Sequence, residues 1–121
     1  MTDDETPLSA LKARAAAFCE ERDWDRFHGA RDLVIGIVTE AAELLELFRF
    51  RSDREIDALL ADPEQRRRVE HEAADVLFFL VRLAQRYGID LTAAFEAKLA
   101  LNAERYPVET SRGSNRKYTE L

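Results

Sequence analysis

Apolar side chains recur every three or four positions along most of the chain, and their pattern predicts an all-α protein. Leu8, Leu11, Ala15 and Phe18 mark a first amphipathic helix through about Arg22. From about Arg31 to Phe50 a wider stripe follows, with Leu33, Ile37, Leu44 and Phe48 on one line and Val34, Ala41 and Leu45 beside it. A stripe this wide predicts burial against more than one neighbour. Ser52 or Asp53 caps a short helix carrying Ile56, Leu59 and Leu60. Asp62, Pro63 and Glu64 then form a helix-start signature. That helix runs to about Tyr87, with Val69, Ala73, Val76, Leu77, Leu80, Val81, Leu83 and Ala84 toward the core and Gly88 ending it. Asp90 caps a last helix with Leu91, Ala94, Phe95 and Leu99 on its apolar side. It should end before Pro107, because the residue preceding a proline is driven out of helical geometry. The expected organisation is one domain over residues 1–121, with flexible polar tails at about 1–7 and 107–121.

Four acids interrupt the pattern. Glu40 and Glu43 lie three residues apart, as do Glu72 and Asp75, so each pair projects from one helical face. Glu40 and Glu43 fall beside the apolar stripe, on a line with Gly36 and Leu47. Glu72, Asp75 and Phe79 share one edge that Arg82 extends. Four carboxylates on two packed apolar helices repel one another and lose hydration. A hard divalent cation resolves the conflict: Mg²⁺ takes oxygen ligands, keeps several waters and commonly shares its sphere with substrate phosphates. On spacing alone, the alternative of solvated surface acids paired with nearby arginines stays open. A di-iron carboxylate bundle does not fit, since it expects a His three residues after a Glu, and His28 and His71 follow Asp25 and Arg68.

The connection holding Trp24, Phe27 and His28 loses the helical period, with Gly29 as breaker. Its aromatics either cap one end of the core or stack on a ligand, and His28 reads as a hydrogen-bonding loop residue or a catalyst. On the last helix Lys98, Asn102 and Arg105 follow one another along one side. Arg112, Arg116 and Lys117 make the C-terminal stretch basic in an otherwise acidic chain.

Composition narrows the function. Charged residues make up 35% of the chain against a usual ~25%, and with only 4 Gly and 3 Pro the balance favours long helices. A net charge of -6 and a pI near 5.0 argue against a nucleic acid polymer or an anionic membrane as partner. No apolar run approaches the ~18 residues of a membrane span. Cys19, the one cysteine, has no internal partner and reads as a small buried hydrophobe in a reducing compartment, so the expectation is a soluble, cytoplasmic protein. Phosphate-binding glycine loops, a zinc cluster and a nucleophile elbow are absent. Catalysis, if present, should rest on a cation and water.

The spacing E-x-x-E, then E-x-x-D on a second helix, resembles the MazG-like all-α nucleoside triphosphate pyrophosphatases. The likeness is closer to their dCTP pyrophosphatase branch, through ERDWDRFH with Arg31, EAAELLELF, EAADVLFFLVRLA, GIDL, the K-x-x-x-N-x-x-RYPVE stretch, and SRGS followed by KYTEL. The resemblance covers nearly the whole chain from about Leu11. It implies a four-helix unit assembling as a homodimer or homotetramer. It also implies Mg²⁺-dependent hydrolysis of a (deoxy)nucleoside triphosphate, dCTP or a modified dCTP first, to the monophosphate and pyrophosphate, with a role in clearing unwanted nucleotides. Glu40, Glu43, Glu72 and Asp75 would be metal ligands and catalytic acids. Lys98, Asn102 and Arg105 would contact phosphates, Trp24, His28, Phe50 and Phe79 would form the base pocket, and Arg31 would also bind substrate. Phe50 stands where those enzymes have Trp and Phe79 where they have Tyr. Stacking survives both changes, but the tyrosine hydroxyl is lost, and a lost polar contact in a base pocket alters selectivity. The alternative is a non-catalytic helical module kept for oligomerisation or partner binding. The clustered acids count against it, since a scaffold gains nothing from buried charge.

Overall fold

The computed structural model describes residues 1–121 and contains helices and turns without strands. In chain order the helices are α1 (Leu8–Glu21), α2 (Ala30–Glu46), α3 (Asp53–Ala61), α4 (Pro63–Tyr87), α5 (Leu91–Arg105) and α6 (Val108–Ser111). Single 3₁₀ turns lie at Asp25–Phe27 and Tyr118–Glu120. Three starts are set by short polar side chains that take up free backbone N–H groups. Ser52 Oγ accepts from the Glu55 N–H at 3.1 Å while Glu55 Oε1 accepts from the Ser52 N–H at 3.3 Å, a reciprocal box that opens α3. Asp62 accepts from Gln65 N at 3.1 Å and Asp90 from Ala93 N at 2.9 Å, opening α4 and α5. Gly88 ends α4 at φ 64°, a left-handed conformation that costs glycine nothing.

The chain forms two compact units, Met1–Gly88 and Ile89–Leu121. In the first, α4 is the central element: it lies along α2 and also packs on α1 and α3. Ala15, Cys19, Leu33, Leu59, Val81 and Ala84 are buried there. In the second, α5 is followed by α6 and the last 3₁₀ turn, and the rings of Tyr106 and Tyr118 meet edge to face at 5.8 Å. Within residues 107–121, expected as a tail, lie α6 and this turn. No helix is long and apolar enough to cross a membrane.

Helix α2 stops at Glu46, four residues short of the expected end. Its last turn tightens into i→i+3 bonds, Leu47 N–H to Leu44 O at 3.2 Å and Phe48 N–H to Leu45 O at 2.9 Å. Phe50 follows at φ 64°, an unusual conformation for a residue with a Cβ, and is 90% exposed. The wide stripe of α2 is only partly covered. Leu33 is buried, but Val34, Ile35, Val38 and Leu45 are exposed, the last two at 62% and 58%.

Candidate active site

Packing α2 on α4 brings three of the four expected acids together: Glu40, Glu43 and Glu72 each offer a carboxylate oxygen, all within 4.8 Å of one another. Glu43 is exposed, whereas Glu40 and Glu72 are half-buried, and each hides an Oε2 that has no hydrogen-bond partner. Burial raises the pKa of Glu40 above the ordinary 4.5, followed by contact with Glu43 and the charges of Glu43, Asp75 and Glu72. Glu72 is raised by burial as well, then by the charge and contact of Glu43 and the charge of Asp75, with Arg68 opposing. Asp75 stands outside the three-oxygen cluster, yet its charge bears on both glutamates. Two orphaned acceptors beside a third carboxylate form an all-oxygen donor set, of the kind that suits Mg²⁺.

The sign of these shifts gives a first prediction. Folding disfavours the ionised forms of Glu40 and Glu72, so the two acids cost stability at pH values above their folded pKa. The cost is relieved as pH falls through that pKa toward 4.5. In chelator, the melting temperature of the wild type should therefore gain more between pH ~7 and ~5 than that of a Glu40→Gln, Glu72→Gln variant. Added Mg²⁺ should remove the difference by offsetting the repulsion. Identical pH profiles of the two proteins in chelator would contradict the shifts.

Beside the acids lies a cavity of about 630 Å³ lined by Leu11, Arg14, Ala15 and Phe18 of α1, by Trp24 and Glu40, and by Ala74, Asp75, Leu77, Phe78, Phe79 and Val81. Its aromatic rings support one another edge to face, Phe18 against Trp24 at 5.6 Å and against Phe78 at 5.9 Å, and Phe78 against Phe79 at 5.4 Å. Phe79 sits directly over Gly36. A Cβ on Gly36 would lie 2.6 Å from the Phe79 ring, so glycine is what admits the ring between α2 and α4. Gly36→Ala gains ~1 kcal/mol of helix propensity, but overpacking costs ~1–3 kcal/mol. The net expectation is lower stability with a displaced Phe79. A urea midpoint above that of the wild type would show that the contact relaxes freely.

The remaining expected site residues fall differently. Trp24 and Phe79 line the cavity, whereas His28 is buried behind them, its ring 6.0 Å from Trp24 and 6.5 Å from Phe79. Arg31 is exposed on the first turn of α2. Phe50 lies outside the cavity, with the Arg49 guanidinium 4.3 Å over its ring. Lys98, Asn102 and Arg105 belong to the second unit, at i, i+4 and i+7 of α5, and the Arg105 guanidinium stands 4.9 Å over Tyr118. The contribution of α1 was not foreseen. Phe18 and Ala15 have the spacing of ordinary core residues, and spacing does not distinguish a cavity floor from a filled core.

Residues 35–121 match the model of the MazG-like family. The chain is 43% identical to dCTP pyrophosphatase 1 of Rattus norvegicus over 117 residues, 97% of this chain and 69% of that protein. It is 41% identical, over the same coverage, to dCTP pyrophosphatase 1 of Homo sapiens. Among solved structures, a pyrophosphatase from Archaeoglobus fulgidus DSM 4304 superposes with a TM-score of 0.76 at 33% identity, covering 83% of this chain and 92% of that one.

Proposed function

This chain belongs to the MazG-like family and is a nucleoside triphosphate pyrophosphohydrolase, and we propose that it acts on dCTP or a modified dCTP with Mg²⁺ as its cation. The observation that carries the reading is the pair of orphaned carboxylate oxygens of Glu40 and Glu72 beside Glu43, at the edge of a cavity walled by Trp24 and Phe79. Such a site joins a place for a cation to a place for a flat, apolar-faced base.

Glu40, Glu43, Glu72 and Asp75 would hold the ion. When bound, Mg²⁺ supplies charge that offsets the triphosphate and makes water more acidic. Trp24 and Phe79 hold the base between aromatic faces, which fixes the reacting phosphate relative to the acids. A carboxylate of the cluster accepts a proton from the attacking water. The water oxygen bonds to the α-phosphorus as the bridge to the β-phosphate breaks, and pyrophosphate departs. By family likeness Lys98, Asn102 and Arg105 contact the phosphates, His28 and Phe50 complete the base side, and Arg31 also binds substrate.

The exposed apolar row Val34, Ile35, Val38 and Leu45 supports assembly with further copies, since monomers rarely leave such a face to water. Exposed Phe50 supports a site shared between subunits. Light scattering should give a dimer or tetramer, and a particle of 13.9 kDa at micromolar concentration would contradict that assignment. Buried, unpaired Cys19 supports a cytoplasmic setting, and the net charge of -6 speaks against a nucleic acid polymer as partner.

A panel of dNTPs and NTPs with Mg²⁺ tests the substrate. The expected result is fastest turnover of deoxycytidine triphosphates and none in chelator. Equal rates across all bases would remove the dCTP assignment while leaving the reaction in place.

A further inference from the structure

Arg82 is the largest fully buried side chain in the protein, at 1% exposure, although it carries a permanent charge. Such burial is costly unless every donor is used and the charge is paired. The guanidinium pairs its charge and gives each of its three nitrogens a partner. Nε–H donates to His28 Nδ1 at 3.1 Å, one Nη donates to Gln85 Oε1 at 2.6 Å, and the other donates to the Asp25 carboxylate in an ion pair. Asp25 is the first residue of a single 3₁₀ turn, Asp25–Phe27, whose N-cap is Trp24 and whose C-cap is His28. The same turn is tied to α1 by the Trp24 N–H, which donates to the Cys19 carbonyl at 3.0 Å.

We propose that Arg82 is a positioning residue for the nucleotide pocket, its buried guanidinium clamping the start of the turn at Asp25 and its C-cap at His28 so that the N-cap residue Trp24 is held as a fixed wall. Because a guanidinium only donates, His28 Nδ1 must accept, which leaves the imidazole neutral with its proton on Nε2. Burial first, and the Arg82 charge second, hold the His28 pKa below its ordinary value in agreement with this geometry. The neutral ring then backs the wall from behind, its centroid 6.0 Å from Trp24 and 6.5 Å from Phe79. Lysine cannot replace this fan, since a single ammonium does not reach three separated acceptors in fixed directions.

The consequence for nucleotide rests on the pyrophosphohydrolase reading, but the consequence for Trp24 does not. Trp24 is the chain's single tryptophan, so emission excited selectively from tryptophan, clear of the three tyrosines, reports on this wall alone. Arg82→Lys, and an Arg82→Met, Asp25→Asn variant that removes both charges at once, should make Trp24 more accessible to acrylamide in nucleotide-free protein with helix content unchanged. With dCTP and Mg²⁺ the same variants should raise KM ~10-fold while kcat stays within ~3-fold. Arg66→Ala, which breaks an exposed i,i+4 pair with Glu70, should change neither. Unchanged quenching of Trp24 in both Arg82 variants would overturn the proposal. So would a fall in kcat at constant KM, which would place Arg82 in the chemistry. A wild type silent toward dCTP would refute the substrate reading instead, and the quenching comparison would still decide the role of Arg82.

Discussion

Glu40→Gln will reduce kcat toward a nucleoside triphosphate by ~10²–10⁴-fold, the range seen when a group acting on the transition state is removed. Glutamine keeps the shape of the side chain and removes the charge that must face the cation. The folded state should not suffer. In the absence of metal, the ionised Glu40 carboxylate has a shielded, unpartnered oxygen and lies among Glu43, Asp75 and Glu72, so its neutral replacement should melt no lower than the wild type in chelator. Loss of activity with equal or raised metal-free stability separates a ligand from a structural residue. A variant that retains wild-type kcat would remove Glu40 from the site.

The second large effect lies at the aromatic wall. Trp24→Ala should raise KM ~5–150-fold, because stacking of one base on an aromatic ring contributes ~1–3 kcal/mol. The effect on kcat should be smaller, since Trp24 lines the cavity beside the acids and is absent from their cluster. Binding of dCTP should also quench wild-type Trp24 emission. KM unchanged in the alanine variant would mean that the base binds elsewhere, and the 630 Å³ cavity would lose its assignment.

Much of this site was legible in the chain because helices carry local signatures. Asp62 and Asp90 begin α4 and α5 as their positions predicted, and the spacing that put Glu40 with Glu43 and Glu72 with Asp75 on single faces left open whether the faces meet; three of the four, Glu40, Glu43 and Glu72, come together. What periodicity could not supply is which neighbour covers which part of a face. Leu33 and Val34 both belong to the apolar stripe of α2, yet one is buried and the other exposed, because a single chain covers only one side. Arg82 extends the acidic edge in spacing, and nothing in that spacing marks it as buried. Its burial depends on Asp25 and His28, more than fifty residues away, which no helical period can announce. The end of α2 escaped for a different reason: Leu47 and Phe48 continue the apolar pattern into a tightened turn. Apolar spacing of that kind does not distinguish a last α-turn from a 3₁₀ one.

The central claim is hydrolysis at the α-phosphorus, supported by a cation that Glu40, Glu43, Glu72 and Asp75 would hold. It is tested most directly by running the reaction with dCTP and Mg²⁺ in heavy-oxygen water and locating the label by mass spectrometry. The expected products are deoxycytidine monophosphate and pyrophosphate in equal amounts, with the heavy oxygen in the monophosphate. Label in pyrophosphate, or orthophosphate as the first product, would place the attack at another phosphorus and contradict the account.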